Sequence, residues 1–222
     1  MSRPAAARPD VRPDPTAPRA VGVLGGTFDP IHHAHLFTAE VAAAAAGLER
    51  VLLVPASQSP LKSPAAGTPE ERLTMARLAA AGNPLLEVST VEADRPPPSF
   101  MADTLALLAA RHPGAELTLI LGIDALQDLL KWRDPERVLD QARVLAVSRP
   151  GYDLAVPAAL RERLGARAER ITLHPMPLLE ISSTEIRRRF AAGLPVRYLL
   201  PEAVERYARR RGLYRPGRPP AT

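Results

Sequence analysis

A chain of 222 residues that is 46% hydrophobic can bury one substantial core and is short for two domains. Cysteine is absent, which excludes disulfides, thiolate metal sites and a Cys nucleophile, and no run approaches ~20 uninterrupted apolar residues, so nothing should span a membrane. The net charge of +5 is unevenly spread: residues 1–19 hold four Arg and two Asp, residues 206–222 hold six Arg and no acid, and the body between them is mildly acidic. Basicity confined to the ends reads as solvated tails rather than a nucleic-acid surface.

Residues 1–19 combine five Pro with small and charged residues and lack the apolar stretch of a secretory signal. Disorder is expected there, and a cytoplasmic location for the protein. One folded domain should run from 20 to 214, with 215–222 a flexible tail. Within it, short apolar runs of β type at 21–24, 51–55, 86–91, 117–121, 144–148 and 171–173 alternate with helical segments. Helices are expected at 35–46, from a Thr68-Pro69-Glu70-Glu71 start, at 99–111, 124–130, 135–141, 182–192 and 201–211. Thr68 suits an N-cap, Pro69 the first helical position and Glu71 the reciprocal capping-box place. Apolar strands separated by helices imply an α/β fold, a doubly wound parallel sheet covered on both faces. Ligands of such sheets bind beyond the carboxyl ends of the strands, so the chemistry should lie in the loops after 24, 54, 121 and 148.

The strongest local signal is Gly25-Gly26-Thr27-Phe28-Asp29-Pro30-Ile31-His32-His33-Ala34-His35, between the first strand and the first helix. Paired glycines let the backbone approach a ligand, and the helix start behind them favours bound phosphate. His32 and His35, three apart, can face the same side and each offer a donor. Neither the Walker pattern nor G-x-G-x-x-G is present. A zinc site is disfavoured because H-E-x-x-H is missing and an acidic ligand would have to come from far away. The second signal is Ile181-Ser182-Ser183-Thr184-Glu185-Ile186-Arg187. Hydroxyls at a helix start, with Arg187 one turn on, could grip phosphate oxygens and form the other jaw of a polyphosphate clamp.

These two motifs together resemble the nucleotidyltransferase superfamily with H-x-G-H and I-S-S-T-x-x-R signatures, and within it the bacterial nicotinate mononucleotide adenylyltransferases. The likeness runs from about residue 21 to 214. It takes in Pro60-Leu61-Lys62, Arg95 ahead of Pro98-Ser99-Phe100, Gly122-Ile123-Asp124 with Trp132 beyond, Ser148-Arg149-Pro150-Gly151-Tyr152, and Gly212-Leu213-Tyr214.

The resemblance implies a Rossmann-like nucleotidyltransferase fold and transfer of the adenylyl group of ATP to nicotinate mononucleotide, giving deamido-NAD and pyrophosphate. It implies ATP contacts at Gly25, Gly26, Thr27, Phe28, His32, His35, Gly122, Asp124, Arg149, Ser183, Thr184 and Arg187. His32, His35, Lys62 and Arg187 would supply charge and donors to the reaction. Phe100, Met101, Asp124, Trp132 and Arg133 would bind the mononucleotide, with Trp132 stacked on the pyridine ring and the main-chain N–H groups of Met101 and Arg133 on its acid group. Mg²⁺ would travel on the ATP phosphates, with no metal site in the protein itself. The expected partners are the two substrates, with self-association left open. Ala34 replaces the Gly of H-x-G-H, Leu61 stands where the family has His, and Ser99-Phe100-Met101 replaces S-Y-T. The competing acceptors are nicotinamide mononucleotide and phosphopantetheine. A nucleotide sensor or a nucleic-acid-binding protein is the non-enzymatic alternative.

Overall fold

Six strands form a single, wholly parallel sheet in the order β3-β2-β1-β4-β5-β6, in a computed structural model that describes residues 19–57, 65–148 and 154–218. The strands are β1 (Ala20–Gly26), β2 (Arg50–Pro55), β3 (Leu86–Val88), β4 (Glu116–Gly122), β5 (Arg143–Ser148) and β6 (Ile171–Pro175). Strand order reverses between β1 and β4, which opens a crevice at their carboxyl ends. The expected doubly wound sheet is therefore the observed one.

The alternation of side chains along each strand divides the core into two layers. Val21, Val23, Leu119 and Leu121 face one side, packed under α3 (Met101–Arg111), α4 (Ile123–Gln127), α5 (Pro135–Gln141) and α6 (Ala158–Leu164). Leu24, Leu53, Ile120 and Leu145 face the other, under α1 (His33–Ala46), α2 (Pro69–Ala80), α7 (Ser183–Ala191) and α8 (Glu202–Arg210). In α1 the buried face is alanine alone, Ala39, Ala42 and Ala43, so this helix lies close against the sheet. Gly22 leaves room for Leu48, just beyond α1, because a Cβ there would stand 2.7 Å from the Leu48 side chain.

Helix starts follow their sequence signals. Thr68 caps α2 as expected, with its hydroxyl and the Glu71 carboxylate each accepting from the other residue's N–H. At α7 only half of a capping box forms: Ser182 accepts from Glu185 N, while the Glu185 carboxylate turns to Arg188 and Arg189. Two expectations differ clearly in extent, and one region was not anticipated. Strand pairing of β3 stops at Val88, after which Ser89 N donates to Leu53 O and the chain turns inward at Val91. The 124–130 segment divides into α4 and a 3₁₀ turn, Leu129–Lys131. Helix α6 and the 3₁₀ segment Gly165–Arg170 were not foreseen at all.

The basic C-terminal region is largely ion-paired. Arg206 and Arg209 pair with Glu202 and Glu205 within α8, and Arg218 donates to both oxygens of Glu71. Contacts therefore continue beyond Tyr214, where the sequence placed the start of a flexible tail. No helix among the described residues is long and apolar enough to cross a membrane.

Candidate active site

The β1–α1 loop is held in an uncommon backbone shape. Phe28 has φ +50°, costly for a residue with a side chain, yet it is almost fully buried. Its ring packs edge-on to His35, with centroids 5.0 Å apart. The Phe28 side chain is thus enclosed within the protein.

Asp29, 2% exposed, anchors the loop from beneath. Its carboxylate accepts from Ala66 N at 2.7 Å, Gly67 N at 3.1 Å and the Tyr214 hydroxyl at 2.8 Å. Burial, the Asp29 charge and its hydrogen bond push the Tyr214 phenol well above its ordinary pKa, so it stays a donor.

The two histidines at the start of α1 stand against each other. Their rings are stacked at 3.7 Å, and His35 Nδ1 accepts from the His32 main-chain N–H at 3.3 Å. In the neutral ring that places the His35 proton on Nε2. His32 is 4% exposed, and burial first, then the charge of His33, lower its pKa from 6.5 to about 4. A ring held that low is neutral near pH 7 and offers polar atoms rather than charge. Its Nδ1 is buried with no hydrogen-bond partner among the described residues.

The two motifs meet. Ser183 Oγ donates to Pro30 O at 2.9 Å, and Arg187 Nη1 donates to Asp29 O at 2.7 Å, across more than 150 residues of sequence. The other Arg187 arm donates to the Thr184 hydroxyl at 3.3 Å. The starts of α1 and α7 are therefore neighbours on one rim, as a shared polyphosphate site requires.

On the opposite flank of the β1–α1 loop lies a cavity of about 630 Å³ at the carboxyl ends of β1, β2 and β4. Gly25, Gly26 and Thr27 form one wall. All five residues expected to bind the mononucleotide (Phe100, Met101, Asp124, Trp132 and Arg133) also line it. Trp132 is half-buried and packs on the core behind the cavity, so it serves as wall and as filling. The Arg133 guanidinium lies 4.5 Å above the Phe100 ring centroid, a cation–π contact that holds a positive charge at this end of the cavity. Gly122 caps α4 at the end of β4. Lys62, Arg149 and the Leu61 departure lie outside the described residues.

Several residues of the site carried no assigned role in the sequence. Buried Glu92 lines the cavity and accepts from Thr104 Oγ1 at 2.7 Å, and Thr104 in turn accepts from Arg95 at 2.8 Å. Ser99, another lining residue, has a buried hydroxyl with no partner among the described residues. Asp29 and Tyr214 stood inside quoted motifs, but only the fold brings them together. Arg72 gave no signal, being one charged residue in an amphipathic helix.

Residues 23–189 match the model of the cytidylyltransferase-like family. The chain is 51% identical over 197 residues to a protein of Roseiflexus sp. strain RS-1 named probable nicotinate-nucleotide adenylyltransferase, covering 88% of this chain and 98% of that one. Identity to the protein of the same name from Saccharopolyspora erythraea is 45% over 198 residues, covering 89% and 90%. A solved structure, Plasmodium falciparum nicotinic acid mononucleotide adenylyltransferase complexed with NaAD, superposes with a TM-score of 0.70 over 88% of this chain and 97% of that one. At 18% identity it speaks for the fold. With the two nucleotidyltransferase motifs joined on one rim and these relatives matched along nearly their whole length, the chain belongs to the nicotinate-nucleotide adenylyltransferase family.

Proposed function

We propose that this protein joins nicotinate mononucleotide to the AMP part of ATP, releasing pyrophosphate and forming deamido-NAD, in the cytoplasm. The observation that carries this reading is the direct bonding of Ser183 and Arg187 to the Pro30 and Asp29 carbonyls. It brings the two motif turns together beside a cavity of about 630 Å³, which supports a shared phosphate site.

In the reaction an oxygen of the mononucleotide 5′-phosphate attacks the α-phosphorus of ATP. A new P–O bond forms, the bond from the α-phosphorus to the bridging oxygen breaks, and its electron pair leaves with pyrophosphate. The attacking phosphate is already anionic near pH 7, so the protein has no proton to remove. Its task is to align two anions that repel each other and to stabilise charge on the leaving group, and alignment alone can supply ~7–11 kcal/mol of such a barrier. His35 offers Nε2–H to a phosphate oxygen, and neutral His32 holds the His35 ring by stacking. Arg187 grips the β and γ phosphates with Ser183, Thr184 and the free main-chain N–H groups of α7. Lys62 and Arg149 add positive charge, and Gly122 and Asp124 meet the nucleotide ribose. Mg²⁺ carried by ATP would neutralise part of the triphosphate charge, leaving Arg187, Ser183 and Thr184 to hold the phosphates in place.

The cavity holds the acceptor, with Trp132 on the pyridine face, Phe100 and Met101 beside it, and Arg133 supplying a main-chain N–H and a nearby cation to the acid group. Pyrophosphate release with ATP and, in separate reactions, nicotinate mononucleotide, nicotinamide mononucleotide and phosphopantetheine tests the assignment. Release should be fastest with the nicotinate acceptor. Faster turnover of either other acceptor would replace the substrate, and no release with any would remove the enzymatic reading.

A further inference from the structure

Arg72 is 1% exposed, one of the largest fully buried side chains in the protein. Its guanidinium bonds four main-chain carbonyls and, among the described residues, no carboxylate. Nε donates to Gly67 O at 3.2 Å, Nη1 to Thr27 O at 2.9 Å and to Ala56 O at 2.5 Å, and Nη2 to Ser57 O at 2.9 Å. Burial pulls its pKa below the ordinary arginine value, and the field of Asp29, then of Tyr214, Glu70 and Glu92, opposes that pull. The group remains a cation.

The four carbonyls belong to two loops at the carboxyl edge of the sheet. Thr27 lies in the β1–α1 loop, between the paired glycines and Phe28. Ala56 and Ser57 begin the β2–α2 connection and Gly67 lies near its end, so Arg72 holds this connection on both sides of the segment that carries Lys62. Thr27 and Ala56 also line the cavity, whereas Arg72 lies behind it. Asp29 reaches the same connection from the other loop through Ala66 N and Gly67 N. A planar fork can address carbonyls arriving from several directions at once. A lysine in its place keeps the charge but offers three donors from a single point.

We propose that Arg72 is a positioning residue for nucleotidyl transfer, its guanidinium setting the distance between the phosphate-binding β1–α1 loop and the β2–α2 connection. It touches neither substrate and acts through the peptide groups of Thr27, Ala56, Ser57 and Gly67. The inference rests on the adenylyl-transfer reading for its activity assay but not for its structural one.

The test compares the full-length protein with Arg72→Lys and Arg72→Gly, the latter with and without added guanidinium ion at non-denaturing concentration. Circular dichroism and thermal unfolding report the folded fraction, and steady-state kinetics with saturating ATP separate kcat from KM. Arg72→Lys should fold and lose kcat at least tenfold, with the mononucleotide KM within threefold of wild type. Hydrogen exchange of peptides covering 25–35 and 65–68 should speed up with no substrate present. Guanidinium should restore part of the turnover of Arg72→Gly. Turnover of Arg72→Lys within threefold of wild type overturns the proposal. So does unchanged exchange in those peptides, or a loss of activity in both variants that only follows the unfolded fraction and that guanidinium does not relieve. If the wild type itself releases no pyrophosphate the function reading fails, while the exchange experiment still decides whether Arg72 joins the two loops.

Discussion

Acid should weaken this fold through one ring. His32 is held neutral by burial, with a folded pKa of about 4 against 6.5 in an unfolded chain. Because the folded value is the lower one, protons bind the unfolded state more tightly between these limits. The stability contributed by neutral His32 is therefore complete above about pH 6.5 and is lost as the pH falls towards 4. At about 1.4 kcal/mol per pH unit the loss comes to about 3 kcal/mol, a large part of the ~5–15 kcal/mol that typically holds a domain together. Urea unfolding of the wild type and of His32→Asn, at intervals from pH 7.5 to pH 4, reads this directly. Acid effects of every other group are shared by the two proteins, so the difference between their stability curves isolates the ring. The wild type should lose about 3 kcal/mol more than the variant over that range. His33→Gln, which removes the smaller cause of the shift, should reduce the loss. Parallel curves for wild type and His32→Asn would refute the assignment of a buried, neutral imidazole.

Asp29→Ala leaves two main-chain N–H groups and a phenol without their acceptor and should cost at least about 3 kcal/mol in thermal or urea unfolding. Tyr214→Phe leaves the carboxylate two of its three donors and should cost about 1–2 kcal/mol, and equal costs would contradict the geometry. In Gly26→Ala the new methyl carbon would stand 2.8 Å from the Phe28 ring, which is buried on a strained backbone and cannot yield. Turnover should fall at least tenfold while circular dichroism stays unchanged. Trp132 is the sole tryptophan, so binding of nicotinate mononucleotide without ATP should quench the intrinsic fluorescence, and an unchanged spectrum at saturation would remove it from the pyridine site. Arg133→Gln should lower the kcat/KM ratio of nicotinate over nicotinamide mononucleotide about fivefold, the effect of roughly 1 kcal/mol from a partly exposed charge.

Elements whose cause is local could be read from the sequence. Apolar strands such as 51–55, the Thr68-Pro69-Glu70-Glu71 start and the two phosphate-type helix starts each carry their signal within a few residues, and all formed close to where they were expected. Helix α6 escaped because its only apolar anchors are Leu160 and Leu164, one turn apart in an arginine-rich stretch without a side-chain cap. The cavity residues could be named from family motifs, but their supports could not. Arg72, Asp29 and Glu92 are charged residues whose partners lie far away in sequence or on the main chain, and a charge in sequence suggests solvent, not burial. The neutrality of His32 was hidden for the same reason, since desolvation belongs to the packed molecule and not to the motif.

The bond from Tyr214 to Asp29 spans 185 residues, and it has a consequence for the order of events during synthesis. The β1–α1 loop is synthesised 185 residues before the phenol that completes its floor. Until then the Asp29 carboxylate keeps only its partners at 66 and 67. A nascent chain can pair most of its strands and still lack the full anchoring of this turn, which is complete only once Tyr214 has been made. Stalling translation before and after codon 214 would place that step.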